Sequence, residues 1–331
     1  MQEEIRFATF NVCNLAPAGT KLYDNLEPLT QVQYEAKREW TARQIDLLGA
    51  DVIGFQEVFS QAALRDVLAH TRHYRDATQA GIDAVDGHGR MLPSVALVSQ
   101  LPLAGPGIAY PTFPAGVSLP VDGHASDANL GRYARAPLHV QVVLPGGHLT
   151  DVLVVHLKSR RPDYRNGDGN TVLNYALANL RSLQRRGAEA VALRVLASEL
   201  GHSGRPRIVL GDFNDIANAV TTAIVMGAGA PDETDHEAGQ ANNMRERLYD
   251  SNAIQLRQDY LRHVGYTNIH DSAYMTIDHI LVSEHFHPAS PRAIGLVLDV
   301  IYLNDHLLQA LPQASDHGQV LVRIKLLGNI G

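Results

Sequence analysis

The sequence predicts an α+β fold in which two packed β-sheets are flanked by helices. Two observations carry the prediction. Apolar runs of strand length recur from one end of the chain to the other, while stretches with helical spacing are few. The polar residues with chemical potential also fall on both sides of each irregular stretch, so no cut leaves a self-contained half. The chain of 331 residues is therefore read as a single domain covering 1–331.

The elements follow in order. Residues 4–12 alternate as a strand, and 33–49 carry apolar positions at helical spacing, Trp40 among them, with Gly49 as the stop. "DVIGFQEV" (51–58) is a buried strand entered at Asp51, and a helix follows near 60–70. "PSVALVS" (93–99) and "APLHVQVVL" (136–144) are strands, the second closed by the "PGG" turn at 145–147. "LTDVLVVHL" (149–157) completes a hairpin with it. A long helix is expected over about 176–200, capped by Gly201. Strands return at 207–212, 277–283, 292–299 and 318–326. Residues 100–131 and 226–245, rich in small and polar residues, read as long surface loops.

Composition narrows the class. Apolar runs such as "DVLVVHL" are strand-sized, too short to span a bilayer, so stable membrane insertion is not expected. Strand-like sequence begins almost at once, with no visible signal peptide, and the single Cys13 excludes an internal disulfide; both fit a cytoplasmic protein. A formal net charge of -7 does not advertise a polyanion-binding surface. Basic residues nevertheless cluster at Arg132/Arg135, Lys158 to Arg161 and Arg185/Arg186. The last pair reads as the solvated face of a helix. The cluster with Lys158 and Arg160 directly follows an apolar strand and reads equally as a solvated face or as a phosphate contact.

Chemistry concentrates at strand ends. Asn11, Glu57, His156, Asp212 with Asn214, Asp278, and Asp316 with His317 each abut an apolar run. Carboxylate oxygens are the ligands of hard divalent ions, and phosphoryl transfer needs positioning and charge neutralisation more than covalent help. Glu57 and Asp316 as metal ligands, Asp212 orienting a water and histidines contacting phosphate would meet those needs. Asn11 and Asn214 would polarise a phosphate oxygen without adding charge, and Gly211 would let substrate come close. Each residue also has an ordinary reading. His156 could be a core histidine, Asp212 a turn residue, Asn11 a partner of its own backbone and Asp278 a turn cap. Asp215 is read as a helix N-cap, and His279 as pointing to the face opposite Asp278.

The motifs "TFNV" (9–12), "QEV" (56–58), "HLKS" (156–159), "GDFND" (211–215), "IDHILVS" (277–283) and "SDH" (315–317) resemble, in order, those of the endonuclease/exonuclease/phosphatase superfamily. The resemblance covers Thr9 to about Leu326. It implies a four-layer α/β/β/α sandwich of two mixed sheets and a phosphodiesterase dependent on Mg²⁺, or on Mn²⁺ or Ca²⁺. By the family pattern Glu57 binds the metal, Asp212 orients or deprotonates the attacking water, and Asn214 holds phosphate. Asp316 binds or supports the metal, His317 contacts phosphate, and Asp278 orients His317. His156 resembles the second phosphate-contacting His of the deoxyribonuclease I pattern. Asn11 contacts phosphate or supports the metal, and Arg135 resembles a strand Arg that approaches the substrate.

One position departs from the pattern. Many relatives carry an acid two residues after the first Asn, where this chain has Cys13, a poor ligand for a hard ion. The implied function is a monomeric nuclease acting on nucleic acid. The alternatives are a phosphoesterase for a small or lipid phosphoester, an inactive binding module of the same fold, and an interaction protein gripping a partner with its long loops. "GIAYPTFPAG" (107–116) is the one segment that could mimic a membrane-binding loop.

Overall fold

The computed structural model describes residues 4–117, 131–165, 167–227, 244–257, 265–309 and 311–328. Part of the first long loop expected from the sequence, residues 118–130, and most of the second, 228–243, lie outside that set. The first half of the chain forms β1 (Glu4–Leu15), α1 (Gln31–Leu48), β2 (Val52–Val58), α2 (Gln61–Ala69), β3 (Thr78–Gly81), β4 (Ala84–Val85), β5 (Met91–Leu92), β6 (Ser94–Ser99), β7 (Ile108–Ala109), β8 (Leu138–Val143) and β9 (Leu149–His156). The second half forms α3 (Val172–Gly201), β10 (Arg207–Asp212), α4 (Val220–Met226), β11 (Leu248–Asp250), β12 (Asn268–His270), β13 (Ala273–Met275), β14 (Asp278–Ser283), β15 (Gly295–Leu303) and β16 (Gln319–Leu326).

Two six-stranded sheets hold the fold, in the orders β15-β16-β1-β2-β6-β3 and β11-β14-β10-β9-β8-β7. Both are mixed, because β1 pairs with β2 and β9 with β10 in parallel while their other neighbours run antiparallel. Strand alternation explains the layering. Phe7, Val52, Leu97, Val154, Leu210, Ile280 and Val322 face inward and form the core between the sheets. Phe10, Phe55 and Val98 face outward onto Trp40, Ile45 and Leu64 of α1 and α2. Leu153, Val209 and Leu281 face outward onto Leu193 and Leu196 of α3. Central strands are thus buried on both faces and read as unbroken apolar runs. The result is the four-layer α/β/β/α sandwich.

Local chemistry sets the helix ends. Thr30 and Gln33 form a reciprocal capping box at the start of α1, and Gly49 ends it in the left-handed conformation at φ 55°. Helix α3 starts at Val172, earlier than expected, because the Thr171 side chain accepts from Asn174 N–H. Gly201 is not its cap. It lies inside the helix, where a Cβ would run into the Arg207 guanidinium, so its role is to make room.

The topology decides where strand ends meet. Parallel pairing puts Asn11 level with Gln56, and His156 level with Asp212. Antiparallel pairing sets Asp278, the first residue of β14, opposite Asp212, the last of β10. Strand β16 runs against β1 with Val320 opposite Thr9, so the residues just before it arrive at the same end. The segment 107–116 is built into this frame: β7 pairs with β8, and Phe113 packs edge-on against Tyr133 at 4.9 Å between ring centres. Its aromatic rings therefore face the core, and the membrane-loop expectation does not hold for it.

Candidate active site

Asp212 is the centre of the cluster and is 1% exposed. Its Oδ1 accepts the Asn214 N–H at 2.8 Å, and its Oδ2 accepts the Asn11 amide at 3.2 Å. His156 Nε2 lies 3.3 Å and His317 Nε2 3.8 Å from the same Oδ2. On its other side His317 meets Asp278, Nδ1 to Oδ2, at 2.9 Å. The Thr267 hydroxyl accepts the Ile277 and Asp278 N–H groups and so fixes the start of β14. Ser315 Oγ donates to the Asn11 carbonyl at 2.6 Å and accepts the His317 N–H, which staples the lead into β16 onto β1.

Glu57 sits beside this cluster. Its Oε1 accepts the Asn11 amide at 3.4 Å and its Oε2 the Asn14 N–H at 3.0 Å. Asn11 therefore bridges Glu57 and Asp212 through its nitrogen, while its own oxygen accepts the Cys13 N–H. That amide is oriented to hold two carboxylates, not to offer oxygen to a cation. The backbone here is strained. Cys13, Asn14, Glu57 and Asn214 are four of the six non-glycine residues with positive φ among the described residues. Gly211 does not open the cleft, since a Cβ there would collide with the Val155 carbonyl of β9. It lets two strands approach, which is what brings Asp212 and His156 together.

The charges follow from burial and neighbours. Burial and the adjacent Asp278 push the Asp212 carboxyl up to about 7. Burial opposes charge on His317, but Asp278 and Asp212 outweigh it and hold its pKa well above the usual imidazole value. Burial, reinforced by Arg135 and His317, holds His156 well below that value, so it is neutral. Asp212, Asp278 and His317 offer ligand atoms within 4.8 Å of one another. Within this group Asp278 and His317 are also in ion-pair contact at 2.9 Å, and the carboxylate oxygens are the donors suited to a hard ion. Those oxygens fit a hard divalent ion: two carboxylates crowd at Asp212, and the buried Oδ1 of Asp278 has no partner.

The sequence profile of the Endonuclease/Exonuclease/phosphatase family matches residues 8–317. The chain belongs to that family. It is accordingly a metal-dependent phosphoric ester hydrolase. Its fold is similar to that of an endonuclease/exonuclease/phosphatase from Bacteroides vulgatus, at a TM-score of 0.58 and 16% identity over 98% of this chain and 100% of the other. Truncated TDP2 of Caenorhabditis elegans gives 0.56 and 13% identity, covering 97% of each chain. The human Nocturnin catalytic domain with bound sulfate gives 0.57 and 15%, covering 99% of this chain and 96% of that one. At these identities the likeness is one of fold. No curated protein matches the chain.

Among the other residues singled out in the sequence, several family positions have structural occupations. Asn214 donates its amide to the Leu157 carbonyl at 3.0 Å, tying β10 to the end of β9. The Asp316 side chain is exposed, in the bend before β16, and its partner is the Cys13 thiol. Arg135 donates to the Leu157 carbonyl at 3.3 Å, and Lys158 Nζ to the Ser159 and Arg161 carbonyls. Arg160 is drawn against Asp215 at 2.5 Å. Asp215 is not a helix cap. It also accepts from Arg186 Nε at 3.1 Å and Thr221 Oγ1 at 2.7 Å, while α4 is capped at Ala219 without a side-chain bond. Arg186 is consequently buried at 6% exposure instead of lying on a solvated face. His279 does point away, donating its Nε2–H to the Asp215 carbonyl and packing on Phe213.

Three contributors escape sequence reasoning. Glu189 of α3, fully buried, accepts the Ala134 and Lys158 N–H groups and so positions both Arg135 and the end of β9. Tyr23 rests edge-on against Phe59 within the electrostatic reach of Glu57 and Arg135. Lys37 of α1 is buried near Glu57. Each comes from an element distant in sequence. For Glu189 and Lys37 the only warning was a charged residue on a helix; Tyr23, between β1 and α1, gave none.

Proposed function

We propose that the protein is a nuclease that hydrolyses nucleic-acid phosphodiester bonds with Mg²⁺. The observation that carries the reading is Asp212, a buried carboxyl with a pKa of about 7, set between one neutral and one protonated histidine. A group poised there can take a proton from water near neutral pH. The His317 imidazolium, held by Asp278, donates to a phosphate oxygen as charge develops. Neutral His156 donates a second hydrogen bond to phosphate without adding charge. Glu57 is the residue that would hold the metal, and Asn11 and Asn14 fix its two oxygens. When bound, the ion neutralises phosphate charge and lowers the pKa of water. Arg135 acts electrostatically on His156 and on Lys158, a local basic edge that would favour an anionic polymer, and the half-exposed Tyr23 ring would offer a face to a base.

A substrate panel tests this reading. Duplex and single-stranded DNA, RNA, sphingomyelin and phosphorylated inositols are compared with Mg²⁺ and Mn²⁺. A nucleic acid should give the highest kcat/KM. Faster turnover of the lipid or the inositol phosphates would overturn the nuclease reading while leaving the hydrolase intact.

A further inference from the structure

A basic cavity of about 520 Å³ lies at the end of the sandwich opposite the catalytic cluster. Its walls are the last turn of α3, the loop into β10, the segment after β14 and the residues that lead into β11. Arg207 opens β10 and Asp212 closes it, so roughly 17 Å of strand separates the cavity from the catalytic carboxyl. Arg205, Arg207, Arg245 and Arg292 line it against two carboxylates, Glu246 and Glu284.

The carboxylates here already have cations. Glu284 holds Arg292 at 2.8 Å, Asp151 holds Arg205 at 2.8 Å, and Glu246 pairs with Arg194 at 3.7 Å. Arg207 and Arg245 have no carboxylate partner among the described residues. Arg207 is 4% exposed and donates to the Ala197 and Arg245 carbonyls, both at 2.5 Å, while its buried Nε–H has no partner. The Arg245 side chain is exposed, and no hydrogen bond of its guanidinium is present among the described residues. His285 feels the resulting field: burial, then Arg292 and Arg207, hold its pKa down at about 4, so at neutral pH it adds no charge. In a chain of net charge -7, two guanidinium groups without carboxylates make a local excess of positive charge.

A guanidinium fork matches phosphate oxygens, and two such groups match a dianion. Arg207 carries more N–H donors than its two carbonyls use. The volume falls in the range of small-molecule pockets, with room beyond a phosphate group for a small organic body. We propose that this cavity binds a phosphate dianion, free or as the monoester of a small molecule, with Arg207 and Arg245 as its ligands. A bound phosphate would tie the lead into β11 to the end of α3. The site holds none of the catalytic residues, so it stands or falls apart from the nuclease reading.

Calorimetric titration in chelator, with inorganic phosphate and with adenosine 5′-monophosphate, tests the proposal. The catalytic histidines also attract phosphate, so the titration is run on His317→Ala, with and without Arg245→Glu. His317→Ala should bind at least one of the two anions at millimolar concentration or below. Tighter binding of the nucleotide would identify a monoester ligand, and equal or tighter binding of phosphate the free anion. Adding Arg245→Glu should weaken binding about tenfold or more, because a donor cation gives way to an anion. A thermal melt checks folding of each variant, and Arg245→Ala replaces Arg245→Glu if the latter does not fold. No binding of either anion by His317→Ala, or unchanged affinity after the Arg245 substitution, would overturn the proposal.

Discussion

At the residue scale, one carboxyl gathers the site. Asp212 accepts backbone and amide donors and faces two histidines, yet Asp278 and burial hold its pKa at about 7. An unfolded Asp titrates near about 4, so folding favours the protonated form. The stabilisation from this group is complete below the unfolded value and is lost as pH rises through about 7. Asp212→Asn keeps the neutral form at every pH. In chelator, its Tm at pH 8 should exceed that of wild type by about 2 °C or more, and the gap should close toward pH 4. A thermal melt series that shows no gap at pH 8 would place Asp212 in a different environment. The cluster's polar members were legible one by one in the sequence, because each interrupts an apolar run. Their states of charge were not, since those depend on register: Asp278 and His156 reach Asp212 only through β14 and β9.

At the scale of elements, the central strands were readable because burial on both faces leaves long apolar runs. Strands of two to four residues at the sheet edges, such as β3, β7 and β11, carry too few side chains for any period to show. Helix α4 has neither a side-chain cap nor a first-turn acid to announce it. Asp215 shows why local signals mislead. Its position suggested a cap, yet besides Thr221 of α4 its partners come from α3 and from the segment after β9. The network binds these elements together, and its members differ in exposure. The Arg186 side chain is 7% exposed, whereas that of Arg160 is 42% exposed. Arg186→Met should therefore destabilise the protein by about 3 kcal/mol, since it leaves a buried carboxylate short of a partner. Arg160→Met should cost about 1 kcal/mol or less. Denaturant titration separates them, and equal small losses would contradict a structural role for the network.

At the scale of the whole molecule, two parallel strand pairs, one per sheet, explain why distant motifs share one end of the sandwich. Six short motifs spread from Thr9 to His317 become neighbours because their strands point the same way or start where the others finish. Order along the chain was visible in the sequence; convergence in space needed the sheets. The net charge of -7 confines attraction for a polyanion to the local basic edge around Arg135 and Lys158. Among the described residues no helix is long and apolar enough to cross a membrane. The central claim is that hydrolysis requires a divalent ion and Asp212 together. The most direct measurement is cleavage of a DNA oligonucleotide by wild type and Asp212→Asn, each with Mg²⁺ and with chelator. Wild type should cleave only with the ion, and the variant should be slower in kcat by about a hundredfold or more. Undiminished cleavage by the variant, or by wild type in chelator, would contradict the account.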